Sequence, residues 1–250
     1  CLVQSGVGGR QATMPGSRRP GAPLPPSWRA AAQWLEAFQR LAAARWPRPP
    51  RLLAELGMEA CAQAHAHARR RPELRELLSV LPPVVAQAAA AVAPSPTAVA
   101  IHGDFWSGNA LLLPGGRDAS ALRVIDWSGF GQGSALDDLL TWVAYSDCPR
   151  GAARQARLPR WQRRFFGSGS ERAFLRAGAG RAGYSAAAAR LGFHLFLLRR
   201  LGWELGLGLQ TRTPAEHDEA RGEWAMMLAW LAEQGFPDPF ESGAAERGRR

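Results

Sequence analysis

The strongest constraint on the fold is a change of pattern in the middle of the chain. Flanking segments carry apolar residues at helical spacing, but between Ala98 and Asp126 they come in short runs separated by polar or glycine-rich breaks. Ala98-Val99-Ala100-Ile101 leads into His102-Gly103-Asp104-Phe105-Trp106-Ser107-Gly108-Asn109. Ala110-Leu111-Leu112-Leu113 follows, Pro114-Gly115-Gly116 turns the chain, and Leu122-Arg123-Val124-Ile125 returns to Asp126. Such short apolar runs bounded by turn residues suit buried strands better than helices. The segment predicts a strand, a polar loop, and a hairpin whose far strand ends on a carboxylate.

The flanks read as helix. Ser27 reads as an N-cap, followed by Trp28, Ala31, Trp34, Leu35, Phe38 and Leu41 at helical spacing. Further helices are predicted at about 51–68 and over 72–92, the latter broken at Pro82-Pro83, and a Pro-Ser-Pro turn at 94–96 closes that half. After a glycine-rich loop, helices are predicted from Leu136 to Tyr145 and at about 185–205 and 215–234. Leu2 to Ser5 reads as a short strand and residues 15–26, rich in Pro, Gly and Arg, as a loop. No internal repeat is present. The fold class is α+β: a mostly helical body with a small β-hairpin insert carrying the polar residues. The predicted divisions are 1–26 (strand and linker), 27–240 (catalytic body) and 241–250 (disordered, Arg-rich tail).

With 250 residues, 46% of them hydrophobic, and ten Trp and ten Phe, the chain can bury a large core and is not of the disordered class. The net charge is +10, and all 31 basic residues are Arg, because the sequence has no Lys. Biased codon usage and a field that attracts anions both account for this. The Arg residues are scattered, so no dedicated nucleic-acid arm is expected. Cys1, Cys61 and Cys148 stand far apart and form no CxxC pair, as expected for isolated thiols in a reducing compartment. There is no run of 18 apolar residues and no secretory signal pattern. The expectation is a cytoplasmic protein without membrane or nucleic-acid partners. Starting at Cys1, the chain reads as a piece of something longer.

The chemistry lies in three side chains. Asp104 offers a carboxylate that can take a proton from an attacking hydroxyl. Asn109 offers an amide oxygen and Asp126 a carboxylate, the hard donors that Mg²⁺ prefers. Strands about 5 Å apart in an antiparallel hairpin bring those two towards a shared ion. Gly103 lets the backbone turn tightly, and His102 is expected to hold the loop through a side-chain hydrogen bond. An Asp, four spacers and an Asn, answered by an Asp at a strand end, form the catalytic-loop pattern of protein-kinase-like enzymes.

HGDFWSGNALLL, RVIDW and GQGSALDDLL together resemble the aminoglycoside phosphotransferase family, with its choline-kinase-like and fructosamine-kinase-like relatives. The resemblance implies the C-terminal lobe of a protein-kinase-like fold, with ATP and Mg²⁺ as cofactors and a small-molecule hydroxyl as acceptor. It implies Asp104 as catalytic base, Asn109 and Asp126 as metal ligands, and Asp138, preceded by Asp137, as a structural residue that caps a helix or fixes the loop. It further implies that most of the N-terminal lobe, with its phosphate-clamping Lys, is absent from this chain, and that Leu2, Val3 and Gln4 are a hinge edge for the nucleotide base. Acceptor contacts are implied on the last helices, at Glu204 and Glu223, with Glu216, Asp218 and Glu219 as further acidic candidates. The alternative is a truncated, catalytically silent kinase-like module that binds a ligand or partner. A basic nucleic-acid-binding protein is a third reading.

Other patterns carry less. Gly129-Phe130-Gly131-Gln132-Gly133 fails the dinucleotide fingerprint, since Ser134 or Leu136 stands at its last position. These glycines are read as shaping the loop after Asp126. His65 and His67 point to different faces of a helix, so a shared metal is not expected. His194, His217, Trp203, Trp224 and Trp230 are assigned to core or surface.

Overall fold

The computed structural model describes residues 10–11, 23–45, 49–113, 118–146, 157–205 and 214–241. The expected strand at Leu2 to Ser5, and with it the hinge residues Leu2, Val3 and Gln4, lies outside the described residues.

Eight α-helices and five short strands make up the described chain: β1 (Arg10–Gln11), α1 (Pro26–Arg45), α2 (Leu53–Arg70), α3 (Arg75–Ala90), β2 (Val99–Ile101), β3 (Ala110–Leu112), β4 (Leu122–Val124), β5 (Gly131–Gly133), α4 (Asp137–Tyr145), α5 (Arg157–Trp161), α6 (Ser170–Arg181), α7 (Ala186–Glu204) and α8 (Pro214–Glu233). A π-helical turn, Gln162–Phe166, joins α5 to the residues before α6. The architecture is α+β and mostly helical. No described helix is long and apolar enough to cross a membrane.

Two antiparallel sheets carry the insert. In one, β3 is central, pairing with β1 on one side and with β4 on the other, with Ala110 opposite Val124 and Leu112 opposite Leu122. In the other, β2 pairs with β5, Ile101 opposite Gly131. That second pair corrects the expectation that residues 129–133 are loop. Glycines carry no side-chain signal for a strand, and here β2 supplies the ladder that their composition does not announce.

Two further corrections concern helix punctuation. The Ser27 cap is displaced: Pro26 already occupies the first helical position, where a missing N–H costs nothing, and the Ser27 hydroxyl is buried without a hydrogen-bond partner among the described residues. Pro82-Pro83 does not break the third helix, which runs through both prolines. An interior proline costs about 3 kcal/mol. Burial offsets that cost, because Leu77, Leu78, Leu81 and Val85 pack α3 between α2 and α7. The Cys61 thiol also donates to the Pro82 carbonyl at 3.4 Å.

The helix α6 has no counterpart in the sequence reading, because Gly178 and Gly180 thin its apolar stripe. Gly178 has a packing reason: a Cβ there would run into the Leu139 side chain of α4. The core runs through Trp28, Trp142, Trp224, Phe105, Phe165, Phe193 and Phe196, all essentially fully buried.

Candidate active site

The loop from His102 to Asn109 is held at both ends by α4. At its start, the Asp138 carboxylate accepts from the His102 N–H at 2.7 Å and from the Gly103 N–H at 2.8 Å. At its far side, the Ser107 N–H donates to the Ser146 hydroxyl at 3.1 Å. Asp138 therefore pins the loop and does not cap the helix. Burial lifts its carboxyl to about 7, against the two N–H donors that favour the anion. Its neighbour Asp137 is also raised, first by burial, and is countered by Arg199 at 2.5 Å.

Gly103 has φ +84, and a Cβ there would collide with the Gly129 carbonyl, so the turn requires glycine. The buried His102 ring spans the gap to the returning strand. Its Nδ1 accepts from the Asp104 N–H at 3.3 Å, which leaves the proton on Nε2 to donate to the Ile125 carbonyl at 3.0 Å. Burial holds its pKa below the usual histidine value, in keeping with a neutral ring.

Asp104 projects from this turn with its two oxygens held separately. Oδ1 meets the Arg200 guanidinium at 3.0 Å, and Oδ2 accepts from Asn109 Nδ2 at 2.9 Å. Asn109 Nδ2 also donates to the Asp104 backbone carbonyl at 2.9 Å. Both bonds of this amide run through nitrogen, which leaves Oδ1 without a described partner.

Asp126 sits at the same end of the hairpin. The Ile125 N–H donates to the Asn109 carbonyl at 2.9 Å, extending the β3–β4 ladder by one step and bringing Asn109 beside the strand that delivers Asp126. Asp126 has φ 58, a left-handed conformation that Asp tolerates better than most residues. Its Oδ1 accepts from the Ser128 hydroxyl at 2.7 Å and caps the turn Trp127–Gly129, leaving Oδ2 unengaged among the described residues. Asn109 Oδ1 and Asp126 Oδ2 are thus two hard oxygen donors at one hairpin end, a set that fits Mg²⁺. No group of three or more His, Cys, Asp and Glu among the described residues is arranged to hold a metal ion, so any such ion would complete its shell from elsewhere.

An aromatic wall fixes both halves of the site to α1. Phe105, fully buried, stacks on Trp34 at 5.2 Å and leans on Trp142 at 5.1 Å. Trp127, next to Asp126, packs on His102 at 4.7 Å and on Trp34 and Phe38.

The model of the phosphotransferase enzyme family (APH) matches residues 1–177. The chain belongs to this family. No curated protein and no solved structure matches the chain. Membership in the APH family identifies the chain as a phosphotransferase by family, and the whole segment from Ile101 to Ser146 that builds the site lies within the matched residues.

The remaining APH-derived candidates lie apart from the loop or outside the described side chains. Glu204 is buried on α7 and accepts from the Tyr145 hydroxyl at 2.8 Å, and Glu223 is buried on α8. Asp218 and Glu219 are exposed, Asp218 pairing with Arg221 at 3.1 Å, while the Glu216 and His217 side chains lie outside the described residues. His194 is buried in α7 with neither ring nitrogen hydrogen-bonded among the described residues, and burial pushes its pKa down to about 4. Sequence reasoning missed Arg200, Thr141, Tyr145 and Ser146. Only Arg200 left a signal: two charges inside the apolar stretch Leu195-Phe196-Leu197-Leu198-Arg199-Arg200-Leu201.

Proposed function

We propose that this chain carries the catalytic and metal half of an ATP- and Mg²⁺-dependent kinase that phosphorylates a hydroxyl of a small molecule. The observation that carries the reading is the convergence of three groups at one end of the β3–β4 hairpin. These are an anchored Asp104, an amide oxygen from Asn109 and a carboxylate oxygen from Asp126. Family membership supports the class of reaction. The order loop, hairpin, carboxylate and helix also fits the C-terminal lobe of a protein-kinase-like fold.

In this reading the acceptor hydroxyl lies against Asp104, which orients it and receives its proton. The hydroxyl oxygen forms a bond to the γ-phosphorus of ATP, the bond from that phosphorus to the β,γ-bridging oxygen breaks, and ADP leaves with that oxygen. Asn109 and Asp126 would hold Mg²⁺, which neutralises charge on the phosphate oxygens. His102 and Asp138 keep the loop closed, so that Asp104 and Asn109 stay in register. Leu2, Val3 and Gln4 are the proposed edge for the nucleotide base. Glu204, whose Oε1 accepts from the Tyr145 hydroxyl, is a proposed acceptor contact.

Titration of the purified protein with ATP, with and without Mg²⁺, tests the reading. Binding is expected to depend on Mg²⁺, and Asp126→Ala should weaken the Mg²⁺-dependent part about tenfold or more, the scale on which a lost metal contact is felt. Binding of equal strength with and without Mg²⁺, unchanged in Asp126→Ala, would contradict the metal assignment. Mg²⁺-dependent binding without any turnover would favour a silent binding module.

A further inference from the structure

Arg200 lies where a charge must find partners. It occupies the apolar stretch of α7 with its side chain only 7% exposed, and Asp104 opposite it is 19% exposed. Its polar contacts converge on one nitrogen: Nη2 reaches Asp104 Oδ1 at 3.0 Å, Thr141 Oγ1 at 3.1 Å and the Gly103 carbonyl at 3.4 Å. The guanidinium lies 4.9 Å from the Tyr145 ring centre and 6.0 Å from that of Trp203. Tyr145 is in turn fixed through its hydroxyl to Glu204 at 2.8 Å. The next residue back, Arg199, pairs with Asp137. Consecutive arginines of α7 therefore interlock with the catalytic loop and with the helix that pins it.

We infer that Arg200 is a positioning residue for Asp104, locking the carboxylate that faces the acceptor hydroxyl; the inference rests on the reading of Asp104 as base. With Oδ1 on Arg200 and Oδ2 on Asn109, the plane of the carboxylate is fixed. Each oxygen keeps lone-pair capacity for a further hydrogen bond. Neither Asp138 nor Ser146 can do this, since both hold the loop backbone and leave the side chain free to rotate. A misplaced reacting group costs about a hundredfold in rate. Because the contacts meet at one nitrogen, a lysine ammonium with three donors reproduces part of them, whereas methionine reproduces none.

The test compares Arg200→Met, Arg200→Lys, Asp104→Ala and the double variant Asp104→Ala/Arg200→Met, following ADP release from Mg-ATP by the whole chain. Arg200→Met is expected to lower kcat about a hundredfold with KM for ATP within about twofold, Arg200→Lys to recover about tenfold of that, and the double variant to be no slower than Asp104→Ala. Wild-type kcat in Arg200→Met, or a double variant slower than Asp104→Ala by the full Arg200 factor, would overturn the inference. Full activity in Asp104→Ala would instead overturn the base assignment. Crystal structures of wild type and Arg200→Met give a readout independent of turnover. Asp104 is expected to leave its rotamer in the variant while residues 102–109 keep their backbone path, and an unmoved Asp104 would refute the proposal. If Arg200→Met does not fold, the neutral but polar Arg200→Gln takes its place in both measurements.

Discussion

Asp138 shows how much of the site depends on one buried side chain. Both carboxylate oxygens accept backbone N–H bonds from the turn that presents Asp104, so its charge state and the loop are linked. Burial raises its pKa from an ordinary 3.8 to about 7. A folded value above the unfolded one means that this group favours the fold most below the unfolded pKa. That contribution is withdrawn as the pH rises through about 7. Asp138→Asn cannot titrate, so the stability of the wild type relative to this variant should fall steadily between about pH 4 and pH 8 in urea unfolding. A difference that stays constant across that window would rule out the raised pKa. The residue types of the candidate site were legible in the sequence, since Asp104, Asn109 and Asp126 announce themselves by type and spacing. Their partners were not. Arg200, Thr141 and Ser146 approach from elements remote in sequence, and one Arg among 31 carries no mark of its role beyond standing in an apolar run.

At the scale of elements, helix α1 acts as the backing of the site. Trp34 receives Phe105 from the loop, and Trp34 and Phe38 together receive Trp127 from the carboxylate-bearing strand end, so one aromatic stack ties the two together. Phe105→Ala removes a fully buried ring and should cost about 3–5 kcal/mol in denaturant unfolding. A loss under about 1 kcal/mol would show that the stack is not what anchors the loop. The elements that sequence reasoning found were those with a clear apolar pattern: α1, α2, α4, α7, α8, the strand β2, the β3–β4 hairpin and, but for its expected break, α3. Those it missed or misjudged lack that signal. The strand β5 is Gly-Gln-Gly and exists because β2 offers it a ladder. The helix α6 carries a glycine where α4 comes too close for a side chain. In α3, packing between two helices outweighs two prolines.

Across the whole molecule, the small β insert is clasped by helices from both halves of the chain: α1 behind it, α4 along the loop, and α7 reaching Asp104 with Arg200. The helices after the hairpin thus do more than fill the core, because α7 supplies a direct partner to the proposed base. The α+β class was legible from the contrast between helical spacing and short apolar runs, whereas the way remote helices close on the loop is tertiary information that no local pattern holds. If Asp104 accepts the proton of the attacking hydroxyl, its loss must show in Mg-ATP turnover when wild type is compared with Asp104→Ala. In Asp104→Ala, kcat is expected to fall about a hundredfold or more while nucleotide affinity stays nearly unchanged; turnover at the wild-type rate would rule out Asp104 as the base.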